Sequence, residues 1–95
     1  MDYINITMEE LNNIKENNNV IIIDVRSPLE YEENKLEKSI NIPLYELKTV
    51  ESKVKDKNAT IIVYCSSGQR SKKAAERLKT MGYNEVYNLI DGINN

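Results

Sequence analysis

Two β-branched runs stand out in the hydrophobic pattern, Val20-Ile21-Ile22-Ile23-Asp24 and Thr60-Ile61-Ile62-Val63-Tyr64-Cys65. Neither alternates with polar residues, so each predicts a strand buried on both faces of a parallel sheet. Shorter segments at Tyr3–Asn5, Ser39–Ile42 and Val86–Leu89 predict three more strands, with Pro43 ending the second of them. Helical spacing fills the intervals. Thr7 and Glu10 form a capping-box pattern ahead of a helix through Lys15, with Met8, Leu11 and Ile14 on one stripe. Asn17-Asn18-Asn19 predicts a turn. Ser27-Pro28-Leu29-Glu30 starts a second helix reaching about Asn34, with Ser as N-cap, Pro at the first helical position and Glu closing a capping box.

Leu44, Leu47, Val50 and Val54 predict one helical stretch over Leu44–Val54, followed by a charged loop over Lys53–Asn58. Ser66–Arg70 reads as a tight polar loop. Ser71 to Met81 then predicts a helix with Ala74, Ala75, Leu78 and Met81 inward and Gly82 at the C-terminal stop. Strands alternating with helices imply right-handed crossovers and a mostly parallel sheet covered on both faces. No linker or repeat divides residues 1–95, so a single domain is expected. The fold class is α/β.

Composition narrows the function classes. At 95 residues there is room for one modest core, and 40% hydrophobic with 29% charged residues is ordinary for a soluble globular protein. A net charge of -2 offers no global basic field, so neither nucleic acid nor a membrane surface is an expected partner. No signal peptide or spanning segment is visible, and a cytoplasmic, reducing setting is the expectation. The chain has 0 histidines and 1 cysteine. That removes His-liganded zinc, Cys–His nucleophile pairs, Ser–His triads and internal disulfides together. Neither a metal nor a cofactor is expected.

The chemistry then converges on Cys65. It ends a buried strand and precedes a Gly-containing polar loop and a helix, and ligands of open α/β sheets bind outside the carboxyl ends of strands. Loop N–H groups and the positive end of the helix should favour the thiolate. Gly68 lets the loop fold tightly. Arg70 can grip an oxyanion with its fork, whereas Lys72 and Lys73 read more simply as a solvated helix face. The plain alternative for Cys65 is an inert core cysteine.

Cys65-Ser66-Ser67-Gly68-Gln69-Arg70-Ser71 resembles the active loop of single-domain rhodaneses, commonly Cys-x-x-Gly-x-Arg-Ser. Asp24-Val25-Arg26 followed by Glu30-Tyr31, Ser39-Ile40-Asn41-Ile42-Pro43-Leu44, and Gly82-Tyr83 through Leu89 resemble three more motifs of that family, in family order. The resemblance implies a three-layer α/β/α fold around five strands and a sulfurtransferase. In that reading, Cys65 accepts sulfane sulfur from a small anionic donor such as thiosulfate, or from a persulfide. It passes the sulfur to a thiol, cyanide or an acceptor protein. The N–H groups from Ser66 to Ser71 would cradle the persulfide, and Arg70 would help hold the donor. Asp24 and Arg26 read as structural support, with Arg26 pairing Glu30 or another nearby carboxylate.

Two segments depart from the family pattern. Asn34-Lys35-Leu36 replaces Gly-His-Ile, and Asp91-Gly92-Ile93-Asn94-Asn95 replaces Gly-Gly and a Trp-containing helix. Four residues separate Cys65 from Arg70, one fewer than cysteine phosphatases place there, which suits a sulfur atom better than a phosphate. A rhodanese-like binding or sulfur-relay module with little small-molecule activity is the other reading.

Overall fold

The computed structural model describes residues 3–93. Ten elements follow one another: β1 (Ile4–Ile6), α1 (Met8–Ile14), β2 (Val20–Asp24), α2 (Pro28–Glu33), β3 (Ser39–Asn41), a 3-10 helix (Leu44–Thr49), α3 (Val50–Lys53), β4 (Thr60–Tyr64), α4 (Gln69–Thr80) and β5 (Glu85–Leu89). The strands form one sheet in the order β1-β5-β4-β2-β3, and every pairing is parallel. The sheet is thus wholly parallel rather than mostly so. The expected residues at the chain ends, Met1, Asp2, Asn94 and Asn95, lie outside the described residues.

The period-2 geometry of strands divides the core. Ile61, Val63 and Cys65 face one side with Ile23, Val25 and Val86, under Leu47, Val50, Val54, Ala74, Ala75 and Leu78. Ile62 and Tyr64 face the other side with Ile6, Ile22, Leu89 and Leu11 of α1. The three layers follow directly, and Cys65 falls on the face that α4 covers.

Both capping boxes form: Thr7 Oγ1 accepts from Glu10 N, Ser27 Oγ accepts from Glu30 N, and each glutamate reaches back to its cap N–H. Three sequence expectations need correction. The Leu44–Val54 stretch splits into a 3-10 helix and one α turn, with Glu46 off helical geometry at φ -114 and ψ 16. Leu44, Leu47 and Val50 are spaced by three, which matches the 3-10 repeat, and only the step to Val54 is α-like. Met8 is 36% exposed, because the short α1 buries Leu11 alone. The last helix starts at Gln69, two residues before the position expected from its apolar stripe.

Order also locates a crevice. From β2 the chain moves outward to β3, and from β4 it moves the opposite way to β5. Neighbouring β2 and β4 therefore form the topological switch point, outside whose carboxyl ends open sheets bind ligands. Asp24 pairs in register with Tyr64 there, so residues 24–26 and the loop after Cys65 share that rim. Among the described residues, no helix is long and apolar enough to cross a membrane.

Candidate active site

Cys65 follows β4 directly and is 1% exposed. The loop turns at Gly68, whose φ of +95 is left-handed. Gly68 is also the N-cap of α4, so the helix lacks a capping side chain. The sulfur of Cys65 takes that role. Gly68 N–H donates to Sγ at 3.1 Å, and Ser71 N–H, on the first turn of α4, donates at 3.4 Å. The Cys65 thiol donates to Ser71 Oγ at 3.4 Å, and once the sulfur is ionised it accepts from that hydroxyl instead. Burial pushes the thiol up. The Ser71 hydroxyl and the N–H groups of Ser71, Gly68 and Ser67 outweigh it, and Cys65 titrates below an ordinary cysteine. The first turn of α4 contains no acidic residue to oppose the anion.

The remaining loop residues are arranged around this nest. Ser67 and Gln69 are exposed and Ser66 is half-buried. Lys72 and Lys73 are exposed on α4. Two backbone contacts close the loop from below. A Cβ on Gly68 would stand 2.2 Å from the Ile90 carbonyl oxygen, and one on Gly92 would stand 2.2 Å from that of Ser66. Ile93 N–H donates to the Cys65 carbonyl at 3.1 Å. The segment after β5 therefore packs on the loop even though it departs from the family pattern.

Arg26 and Arg70, the two of the chain's three arginines that lie at this rim, are both engaged. Arg26 Nε and Nη2 donate to Asp24 Oδ2 at 3.1 and 2.8 Å, and Asp24 Oδ1 also accepts from Arg26 N–H at 2.8 Å. Asp24 is 0% and Arg26 4% exposed. Arg26 also donates to Asn34 through Nη1 and, to its carbonyl, through Nη2. Of the two expected partners for Arg26, the nearby carboxylate is thus Asp24. Glu30 is taken by Arg70. Arg70 Nη1 donates to Glu30 Oε1 at 2.8 Å and Nη2 to Oε2 at 3.0 Å. The expected free fork for an anion is therefore already filled by a carboxylate.

Sequence reasoning gave Glu30 a capping role and offered it as one partner for Arg26, and missed its pairing with Arg70. Its Oε1 accepts from both Ser27 N–H, at 2.9 Å, and Arg70. The capping box and the neighbouring Arg26 are both local, and no signal pointed to a partner 40 positions on. The Tyr64 hydroxyl was also missed; it accepts from Leu36 N–H at 3.0 Å and anchors the loop before β3. Among the described residues, no three His, Cys, Asp or Glu side chains form a metal-binding group.

The Rhodanese-like domain family model matches residues 7–95. The chain belongs to the rhodanese-like family. Thiosulfate sulfurtransferase PspE of Escherichia coli is 46% identical over 67 residues, covering 70% of this chain and 64% of that protein. This chain thus spans just under two thirds of that relative. Thiosulfate sulfurtransferase GlpE of Coxiella burnetii is 34% identical over 73 residues, 77% of this chain and 67% of that protein. A tRNA uridine(34) hydroxylase of Buchnera aphidicola is 31% identical across 93% of this chain but only 30% of its own length. Among solved structures, a rhodanese with anions from E. coli superposes with a TM-score of 0.70 at 44% identity, over 73% of this chain and 82% of that one. A rhodanese-related protein of Thermoplasma volcanium gives 0.80 at 34% identity, over 96% and 87%.

Proposed function

We propose that this rhodanese-like domain is a sulfurtransferase with Cys65 as its nucleophile. The observation that carries the reading is the nest of Gly68 N–H, Ser71 N–H and Ser71 Oγ around Sγ. It stabilises one small anion at a helix N-terminus, which suits a thiolate and, one sulfur atom longer, a persulfide. With thiosulfate, Cys65–S⁻ attacks the outer sulfur. The S–S bond of the donor breaks, sulfite leaves with the electron pair, and Cys65–S–S⁻ remains. Cyanide then takes the terminal sulfur as thiocyanate and returns the thiolate. Atoms and charge balance in both halves, and no other cofactor is required. The relatives named as thiosulfate sulfurtransferases support this chemistry.

The test is thiocyanate formation from thiosulfate and cyanide, with Cys65→Ser beside the wild type. Wild-type turnover that vanishes in Cys65→Ser is the expected result. Equal turnover in both would remove Cys65 from the reaction. The relay reading draws on the filled Arg70 fork, which among the described residues leaves no free guanidinium beside Cys65 for a small dianion. A wild-type protein inert toward thiosulfate, yet carrying one extra sulfur atom on Cys65 by mass spectrometry, would favour it.

A further inference from the structure

Three negative charges meet when a thiolate receives thiosulfate, and the site has little free positive charge to offset them. Arg26 is held by buried Asp24, and Arg70 is held at both terminal nitrogens by Glu30. Lys72 and Lys73 are turned to solvent. Arg70 nonetheless lies close to the reaction, since its Nη2 is 3.5 Å from Ser66 Oγ, beside Cys65. Its partner carboxylate is equally close, with Oε2 3.5 Å from the same hydroxyl.

We propose that Glu30 is a specificity-determining residue: by neutralising Arg70 at the mouth of the site, it biases Cys65 against dianionic sulfur donors and toward monoanionic or neutral ones. This rests on the sulfurtransferase reading and names its donor class. The Arg70 guanidinium, with help from Ser27 N–H, holds the Glu30 carboxyl down to about 2, so the opposing charge is present at any working pH. For a neutral persulfide the step is Cys65–S⁻ + R–S–SH → Cys65–S–SH + R–S⁻. The terminal sulfur and its proton move together, the donor S–S bond breaks, and the total charge stays at one. The loop N–H groups already accommodate that single charge. Glu30 acts through Arg70, and is a positioning residue rather than a catalytic one.

The experiment compares thiosulfate, a dianion, with methanethiosulfonate, a monoanion, in the cyanide assay. Glu30→Gln keeps an oxygen to cap Ser27 but removes the charge. It should raise the thiosulfate-to-methanethiosulfonate ratio of kcat/KM about three- to tenfold, the size of one unit charge acting across several ångströms of partly solvated protein. The change should reside in KM, and Glu30→Asp should hold the ratio near the wild-type value. An unchanged ratio in Glu30→Gln, with both donors still turning over, would overturn the proposal and leave the sulfurtransferase reading intact.

A second readout needs no turnover: sulfate should protect Cys65 from iodoacetamide at lower concentration in Glu30→Gln than in wild type, while nitrate should protect both alike. If neither donor reacts, the sulfurtransferase reading fails, and equal sulfate protection would still refute the role of Glu30. Should Glu30→Gln not fold, the neutral replacement Glu30→Gln/Arg70→Gln decides the point. A ratio near wild type supports a pair that acts as one neutral unit. A collapse of thiosulfate use alone would show Arg70 binding the donor by itself, and would overturn the proposal.

Discussion

Ser71 shows how much of the site rests on one side chain. It is 0% exposed, and both its Oγ and its N–H lie 3.4 Å from the Cys65 sulfur in hydrogen-bond contact. Ser71→Ala removes one donor while keeping the helix and the backbone bond. A hydrogen bond to a charged group contributes about 1.5–3 kcal/mol, less here because the 3.4 Å contact is long. The alkylation rate of Cys65 at neutral pH should therefore fall about five-fold, and the pH midpoint of alkylation should move upward. The sign follows from the thiol being held below its ordinary value by these donors against burial. A midpoint unmoved in Ser71→Ala would assign the effect to backbone N–H groups alone. Cys65, Gly68 and Ser71 were legible because the reasons for them are local: a strand end, a tight turn and a helix start. Glu30 was not legible in its second role, since its distance from Arg70 in sequence is closed only by the fold.

At the scale of elements, the loop after Cys65 and the segment after β5 approach more closely than any side chain would allow. Gly92 has φ +69, and a Cβ there would meet Ser66 and Cys65 carbonyl oxygens at 2.2 and 2.7 Å. Gly82 has φ +100, but the nearest atom to its Cβ would be a flexible lysine Nζ at 3.8 Å. The two glycines therefore separate backbone strain from collision. Gly82→Ala should cost about 1 kcal/mol, the penalty of a left-handed alanine. Gly92→Ala should cost about 3 kcal/mol or more, because rigid backbone must move as well. It should also slow Cys65 alkylation, since the displaced loop carries the N–H donors. Thermal unfolding of both variants, with alkylation kinetics, checks this. The caps and stops of these elements were readable from Thr7, Ser27 and Gly82. The 3-10 turn was not, because apolar positions spaced by three fit a 3-10 repeat and an α stripe alike.

For the whole molecule, the buried Asp24–Arg26 pair ties the carboxyl end of β2 to Asn34 at the end of α2. Such a pair adds little by itself, but losing one member strands the other in a low dielectric. Arg26→Met should destabilise the domain by about 3–5 kcal/mol, lowering the Tm by roughly 15 °C or more. Asp24→Leu/Arg26→Met should recover most of that stability, because no charge is left unpaired. Failure of the double variant to recover would show that the contacts with Asn34 matter more than the ion pair.

The sequence by itself determined the alternation of strands and helices, the two buried central strands, and the absence of any imidazole or second thiol. Each of these depends on neighbours along the chain or on residue counts. It also singled out Cys65 as the candidate nucleophile, through the strand-end position and the loop motif. Only the tertiary structure decided which charges face one another. It set strand order, and so placed the β2 and β4 ends side by side. It gave Asp24 to Arg26 and Glu30 to Arg70, and it brought Gly92 beneath the loop. Electrostatic partners are fixed by distance in space, and a sequence pattern records only distance along the chain.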